Sequence, residues 1–525
     1  MVTLPPIPSP AASNAKKADK QVLQLANSIA VLSGVFPAGF ASAERVVMSN
    51  VYLPPFIRDD KHELHPGLLT GYQANADFTL YTLKVDPKAK WSDGSLLTAK
   101  DIKAGWEANM APVPEGVKLQ KFFQFIRTGM DPIDGIDDLA AGKTKELASI
   151  NVVDDQTLTV KLSRSEPNFP QRLALPNMAI MKVDQWAQDP FIFEKPEVLV
   201  NGPFKVATYD KQANDYVFVR NPNWWGKQPI IEQIEFKASV DESTEYALWQ
   251  NNQIDVGFWT SDVLKQLFDS DGDNISRLPY PGVGLGILFN TTKEPLSDVN
   301  VRKALAYGAD YNGIIKAVAG DTQVPALGVL PPELSCYTDR KSTYPFDVAA
   351  AKDYISKSKY GSADNVPKLE FGNSIKAPWP ELQAVIEQWR TNLGLRIEYI
   401  TDTSFPGNKD AHIYDIVRWS QGSIIPDTIA FLQSALNPSD GVFKYQSGYD
   451  SPQIRQALGD AAKLPINDPK RCQLAQQAQE QWMSDVAGVP IERVAYEYWV
   501  KPRVVGWKNN IDLSPYTILD MFIAQ

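Results

Sequence analysis

Few side chains in this sequence are arranged for bond-breaking chemistry. Its histidines number three, His62, His65 and His412. In "HELH" two imidazoles stand three residues apart, a spacing that suits metal ligation on a helix. No third ligand is apparent beside them, and no metal site is expected. His412 stands alone in "KDAHIYDIVRW" and reads as a satisfied surface or cleft histidine. A serine nucleophile of the hydrolase type needs a sharp elbow of the form G-x-S-x-G, which the sequence lacks. The G-x-G-x-x-G and phosphate-loop phrases are also missing; "GVGLG" at 282–286 is not followed by a helix and reads as a flexible hinge before "ILFN". The paired carboxylates Asp137-Asp138 and Asp154-Asp155 fall in polar, turn-like stretches, where solvated loops account for them. The reading is a non-enzyme without a cofactor.

Binding groups gather instead in "IVRWSQGSIIPDTIAFL", residues 416–432. Arg418 can meet a carboxylate through two parallel hydrogen bonds, although neighbours in a strand point to opposite faces and its place before Trp419 can turn it outward. Gln421 and Ser423 offer neutral hydrogen bonds suited to hydroxyls, and Asp427 carries the only carboxylate of the stretch. The plainer alternative is a loop between a strand and a helix.

The elements that would hold such groups follow from length and pattern. A chain of 525 residues exceeds what one hydrophobic core serves, so two or three domains are expected. With 52 basic against 62 acidic side chains the formal charge is -10, which argues against nucleic acid and suits a dispersed monomer. Thirteen tryptophans and twenty tyrosines exceed the needs of cores alone, and amphipathic rings are common where ligands are gripped. Cys336 and Cys472 make either one disulfide or two buried thiols, and spacing does not decide between them. No apolar run reaches the roughly 18 residues of a membrane span. Residues 16–43 mimic a secretory signal through Lys16, Lys17, Lys20 and Ala41-Ser42-Ala43. Asn27, Gly34, Pro37 and Gly39 interrupt its apolar stretch, so it is assigned to the folded body, with a true signal removed or omitted.

The first fifteen residues, rich in proline and small side chains, read as an extended arm. "DFTLYTLKVD" alternates through Phe78, Leu80, Thr82 and Lys84 as a half-buried strand. In "KWSDGSLLTAKDI" that follows, Asp93-Gly94 supplies a tight reversal, and Thr98 with Asp101 forms a capping box. "INVVDDQTLTVKLS" predicts a hairpin, and "YVFVRNPNWW" with "IEQIEFKASV" two further strands. Helical periodicity then places Val301, Leu305, Ile314 and Val318 on apolar faces, with Gly320 as a C-cap. The clearest unit is the strand "KLEFGN", the helix "WPELQAVIEQWRTNLG" and the strand "LRIEYIT", whose order implies a parallel pair with a crossover helix.

Several of these phrases together resemble the extracytoplasmic solute-binding proteins of ABC importers, in the large peptide- and nickel-binding family (cluster C type). "DFTLYTLKVDPKAKWSDGSLLTAKDI" is similar to that family's F-S-D-G-x-x-L-T-A-x-D signature, "NGPFKV" to its G-T-G-P-Y-K-L phrase, and "VRNPNWWGKQPIIEQIEFK" to its R-N-P-x-Y-W-G phrase. "ALWQNNQIDV", "LFNTTKEPLSDVNVRKALAYGADYNGII" and "YPFDVAAAKDYI" resemble three later phrases in the family's order. The match covers roughly residues 30 to 510. It implies an α/β, two-lobed periplasmic-binding-protein fold with hinge crossovers and an additional third domain on the first lobe. The expected boundaries are 1–50, 170–283 and 488–525 for lobe I, 51–169 for the accessory domain and 284–487 for lobe II. Ligand would be enclosed as the lobes close.

The resemblance also bears on the site. Relatives that bind peptides follow a strand with a W-x-x-D phrase, whose tryptophan lines the pocket and whose aspartate pairs with the ligand's ammonium. Trp419 matches that tryptophan, but the aspartate position falls on Gly422 or Ser423, with Asp427 further along. A buried ammonium without a carboxylate costs on the order of several kcal/mol, which counts against an ordinary peptide N-terminus. Either Asp427 takes over through a shifted loop, or the ligand is a sugar or a sugar-amino-acid conjugate of the opine type. Phe36 beside Val35, Tyr280, Val283 and Phe405 are further cleft candidates by the same resemblance. The implied partners are a small-molecule ligand and the membrane permease of an ABC importer, and the implied location is periplasmic or cell-surface. Alternatives are an oligopeptide receptor anchored by Asp427, a secreted hydrolase and a chemosensory binding protein.

Overall fold

The computed structural model describes residues 1–6, 14–27, 49–113, 129–189, 191–213, 215–238, 241–258, 275–279, 282–319, 324–340, 343–373, 378–402, 414–422, 425, 427–436, 447–493, 495–508 and 518–525. It divides into two units, Met1–Leu278 with Tyr496–Gln525, and Pro279–Ala495, so the first is discontinuous in sequence. Gly488–Arg493, grouped with the first lobe by the expected boundaries, pairs inside the second unit's sheet with Gly282–Phe289.

In the first unit a seven-stranded sheet runs, in spatial order, through Ile275–Pro279, Ala495–Val500, Val256–Phe258, Val22–Asn27, Gln233–Ala238, Asp215–Arg220 and Phe204–Asp210. Val22–Asn27 pairs in parallel with both its neighbours. Val22–Asn27 and Gln233–Ala238 alternate: Leu23, Leu25, Ile234, Phe236 and the neighbouring Val256 are fully enclosed, while Gln24, Glu235 and Lys237 are only half-buried. Val22–Asn27 falls within residues 16–43, so this part of the signal-like segment is structural.

The same unit carries a five-stranded antiparallel sheet ordered Val2–Thr3, Leu69–Ala74, Leu80–Val85, Thr157–Lys161 and Ile150–Asp154, the last two forming the expected hairpin. The alternation in Leu80–Val85 is real but in the other phase: Tyr81, Leu83 and Val85 are buried and Leu80 is exposed. Phe78 sits before the strand at a φ of 54°, which removes it from the pleat. Beyond the strand, Gly94 at a φ of 91° donates to the Trp91 carbonyl at 2.9 Å. Thr98 then donates its backbone N–H and its hydroxyl to Asp101 Oδ2, both at 2.9 Å, starting the helix Ala99–Met110. These residues hold scaffold.

The second unit is built on a six-stranded sheet ordered Val324–Pro325, Gly488–Arg493, Gly282–Phe289, Ile416–Gly422, Leu369–Asn373 and Ile397–Thr401. The βαβ expectation holds: Leu369–Asn373 is parallel to Ile397–Thr401, joined by the helix Pro380–Leu393, which ends at Gly394 with a left-handed φ of 74°. One face of the sheet packs Ile287, Phe289, Phe371 and Ile416 against Leu305, Val385 and Trp389. The other packs Leu288, Val417 and Trp419 against Phe431, Leu458 and Trp482. Val318, expected on an apolar face, is 41% exposed, while Ile314 and Ile315 are buried.

Two further expectations are settled by packing. Gly282–Phe289 is a strand buried at every position, not a flexible hinge. Its glycines serve close approach, since a Cβ on Gly286 would lie 2.2 Å from Trp419 Cε3. Cys336 and Cys472 form a disulfide, with Cα atoms 4.9 Å apart, tying the 331–340 segment to the helix Pro469–Ser484.

Candidate functional site

The second unit's sheet has a distinct edge. Leu369–Asn373, Ile397–Thr401 and Ile416–Gly422 run in parallel, and Gly488–Arg493 runs with them because both it and Ile416–Gly422 are antiparallel to Gly282–Phe289. Their carboxyl ends therefore lie together, beside the start of Gly282–Phe289. From Leu369–Asn373 the chain steps outward to Ile397–Thr401, then returns to the other side as Ile416–Gly422. Open α/β sheets bind ligands outside the carboxyl ends at such a reversal.

Arg418 stands at this point. Its guanidinium carbon lies 4.0 Å from the ring centroid of Trp379, the residue just before the helix Pro380–Leu393. The contact is a cation–π stack that fixes the plane of the fork. Among the described residues, Nη2 makes only a long contact, 3.4 Å, to the Gly284 carbonyl, and Nε is buried without a hydrogen-bond partner. Burial pulls the guanidinium below its ordinary pKa, and the Glu492 carboxylate, also buried, acts in the opposite sense. An arginine holds its charge under these conditions. The result is a planar cation with unspent donors in a partly desolvated place, where an anion interacts more strongly than in water.

Trp379, 37% exposed, was not singled out from sequence. The available signal was its place as a large aromatic just before Pro380, at the start of a helix. Trp419 alternates to the opposite face from Arg418, is 1% exposed, and packs 6.4 Å from Trp482. Its ring lies in the core, and the aromatic surface at this edge comes from Trp379. Gln421 lies on the Trp419 side and donates from Nε2 to Ser434 Oγ at 3.0 Å.

Asp427 is committed elsewhere. Buried before the helix Thr428–Leu436, it accepts from Arg471 Nη2 on Oδ1 at 3.0 Å and on Oδ2 at 2.8 Å, and from the Ala430 N–H at 2.8 Å. The proposed amine anchor therefore already has its cation. Ser423, Tyr280, Phe405, Phe36 and Val35 lie outside the described residues, as does His412.

Along the same edge a cavity of about 160 Å³ is lined by Gly282, Val283, Val324, Pro325, Tyr337 and Arg493, among others. Arg493 is paired with Glu333. Ligand pockets usually span about 300 to 1,000 Å³, so this volume suits one substituent of a solute. Val283 is the sequence candidate found there.

Comparison with known proteins identifies the fold. The oligopeptide-binding protein OppA of Bacillus subtilis (strain 168) is 26% identical over 455 residues, covering 82% of this chain and 79% of that protein. The Escherichia coli murein tripeptide binding protein MppA superposes with a TM-score of 0.75 at 22% identity, over 97% of this chain and 99% of that one. AgaA from A. tumefaciens R10, solved in complex with agropinic acid, superposes with a TM-score of 0.72 at 18% identity, over 96% and 99%. These likenesses carry the two-lobed periplasmic-binding-protein fold. The profile of the bacterial extracellular solute-binding proteins, family 5, matches residues 63–443, and the chain belongs to that family.

Proposed function

We propose that this chain is the solute-binding receptor of an ABC import system and captures a small organic solute that carries a carboxylate. It works outside the cytoplasm as a monomer, hands the solute to a membrane permease, and neither alters it nor uses a cofactor. The solute is peptide-like or a sugar-amino-acid conjugate of the opine type, the two classes that relatives bind by name.

The observation that carries this reading is Arg418 stacked on Trp379, with a buried Nε that has no partner among the described residues, at the reversal point of the sheet. A carboxylate completes the fork with two charge-assisted hydrogen bonds. Asp427 supports an amine anchor poorly, because releasing it would strand Arg471 in the core.

Calorimetric titration and thermal shift test the reading. Wild-type protein and Arg418→Ala are compared with di- and tripeptides, agropinic acid and the carboxylate-blocked form of each. A free-carboxylate compound is expected to raise the melting temperature of the wild type by mass action. Arg418→Ala should weaken that compound at least about thirtyfold, the equivalent of about 2 kcal/mol. Equal affinity for the blocked form, or full affinity in Arg418→Ala, would remove the carboxylate from the proposal. Mass spectrometry of the released solute should return it unchanged.

A further inference from the structure

The "HELH" motif lies not on a helix but in a short hairpin, and that changes its ligand arithmetic. Phe56–Arg58 pairs antiparallel with Leu64–Pro66, with Ile57 opposite His65 and Arg58 opposite Leu64. The loop is closed by Asp59 N–H donating to the Glu63 carbonyl at 3.1 Å, with His62 at a φ of 64°. Extending the register by one pair sets Asp59 opposite Glu63. Side chains two apart on one strand share a face, so Asp59, Glu63 and His65 share one.

The side chains confirm that arrangement. One ligand atom each from Asp59, Glu63 and His65 all lie within 4.8 Å of one another. His65 Nδ1 lies 2.9 Å from the Pro5 carbonyl, which only accepts, so Nδ1 carries hydrogen and Nε2 is the nitrogen turned toward the cluster. Asp59 Oδ1 accepts the Lys61 and Glu63 N–H groups at 2.9 and 2.8 Å, which leaves Oδ2 aimed at His65 Nε2, 3.2 Å away. Metal-ligating histidines commonly donate their other N–H to a carbonyl, and ligating carboxylates are themselves hydrogen-bonded. For bonds of about 2.0 to 2.1 Å in a tetrahedral shell, neighbouring ligand atoms sit roughly 3.3 Å apart, close to the 3.2 Å between His65 Nε2 and Asp59 Oδ2, and Glu63 brings a ligand atom within 4.8 Å of both. His65 and Asp59 are buried, while Glu63 is exposed, so the cluster has an anchored side and a side open to solvent.

We propose that Asp59, Glu63 and His65 form a binding site for a divalent first-row cation of the zinc class, with water completing its shell. One nitrogen and two carboxylate oxygens suit such ions better than calcium or magnesium, which prefer oxygen alone. Lys508 lies within electrostatic reach of Asp59 and Asp60 and is the ion's competitor. The divalent cation prevails by bonding directly to three donors. Through His65 and Pro5 the ion stiffens the N-terminal arm, whose Val2–Thr3 strand is paired with Leu69–Ala74.

Zinc titration of the tag-free, chelator-stripped full chain, followed by competition with a chromophoric chelator, tests the site. One zinc per chain is expected, with a melting-temperature rise of roughly 5 °C at a hundredfold excess over Kd. Glu63→Ala, at an exposed position that leaves the fold intact, should weaken zinc at least tenfold, His65→Gln should abolish the site, and His62→Ala should leave it unchanged. Absence of zinc binding by the wild type overturns the proposal. So does wild-type affinity in Glu63→Ala, or loss of binding in His62→Ala alone, which would mark an adventitious surface histidine. Should His65→Gln fail to fold, Glu63→Ala decides.

Discussion

Asp427 and Arg471, 44 residues apart in sequence, meet inside the second unit with both carboxylate oxygens on one guanidinium nitrogen, at 3.0 and 2.8 Å. The side chains are 7% and 3% exposed. Arg471 also donates from Nη1 to the carbonyls of Ala461 and Leu464, at 3.0 and 2.9 Å, so one pair stitches the start of Thr428–Leu436 to the end of Pro452–Ala461. Removing one partner of a buried pair strands the other charge, at a cost of about 3 to 5 kcal/mol. Asp427→Asn is therefore expected to lower the urea midpoint strongly and to leave the choice between amine-bearing and amine-free solutes as it was. Unchanged stability with lost affinity for amine-bearing solutes would return Asp427 to the ligand.

The disulfide between Cys336 and Cys472 spans 136 residues. Chain-entropy arguments assign a loop of that length about 4 to 5 kcal/mol, largely through the unfolded state. Cys336→Ser with Cys472→Ser, or reduction of the native protein, should lower the melting temperature of the second unit by roughly 10 °C. Scanning calorimetry with and without reductant measures this. Coincident transitions would show that the bridge constrains nothing.

Gly286 faces the edge of the Trp419 ring, with a built Cβ 2.2 Å from Cε3 and 2.7 Å from Cζ3. A fully buried indole cannot retreat without moving Trp482. Gly286→Ala should cost about 1 to 3 kcal/mol by overpacking, visible as a shifted denaturation midpoint at unchanged slope. A neutral result would mean that Trp419 has room to move, contrary to its burial.

Glu294 sits on the surface among donors. Hydrogen bonds from Lys359, Tyr360 and Ser297, the last at 2.9 Å, hold its carboxyl at about 2 rather than 4.5. A lowered folded-state value means that the folded protein prefers the ionised form. Its stabilising contribution is therefore complete above the ordinary value and lost as pH falls from 4.5 toward about 2. A carboxyl titration by NMR should show the depressed midpoint, and Lys359→Ala should move it upward. A midpoint near the ordinary value in the wild type would mean that the cluster is open in solution.

Much of the fold was legible because its signals are local. The βαβ unit around Pro380–Leu393 follows from alternation, a crossover-length helix and Gly394, and the reversal at Asp93-Gly94 follows from turn chemistry and a capping box. Leu80–Val85 shows the limit of such reading. Alternation identifies a strand but not its inward phase, which Tyr81 and Leu83 decide by what they pack against. "GVGLG" shows another limit, since glycines that read as flexibility instead admit the Trp419 ring and the backbone of the neighbouring strand.

From the residues alone came the missing nucleophile phrases, the family resemblance and the choice of Arg418 as a partner for a carboxylate. Tertiary structure alone decided that Trp379 rather than Trp419 lies against Arg418, that Asp427 is held by Arg471, that the cysteines are joined, and that Asp59 stands beside His65. The division has a physical cause. Turns, caps and periodicity are set by neighbours a few residues away, whereas the partner of a buried charge or ring is whatever distant element the fold brings up to it, and the chain order carries only a faint trace of that choice.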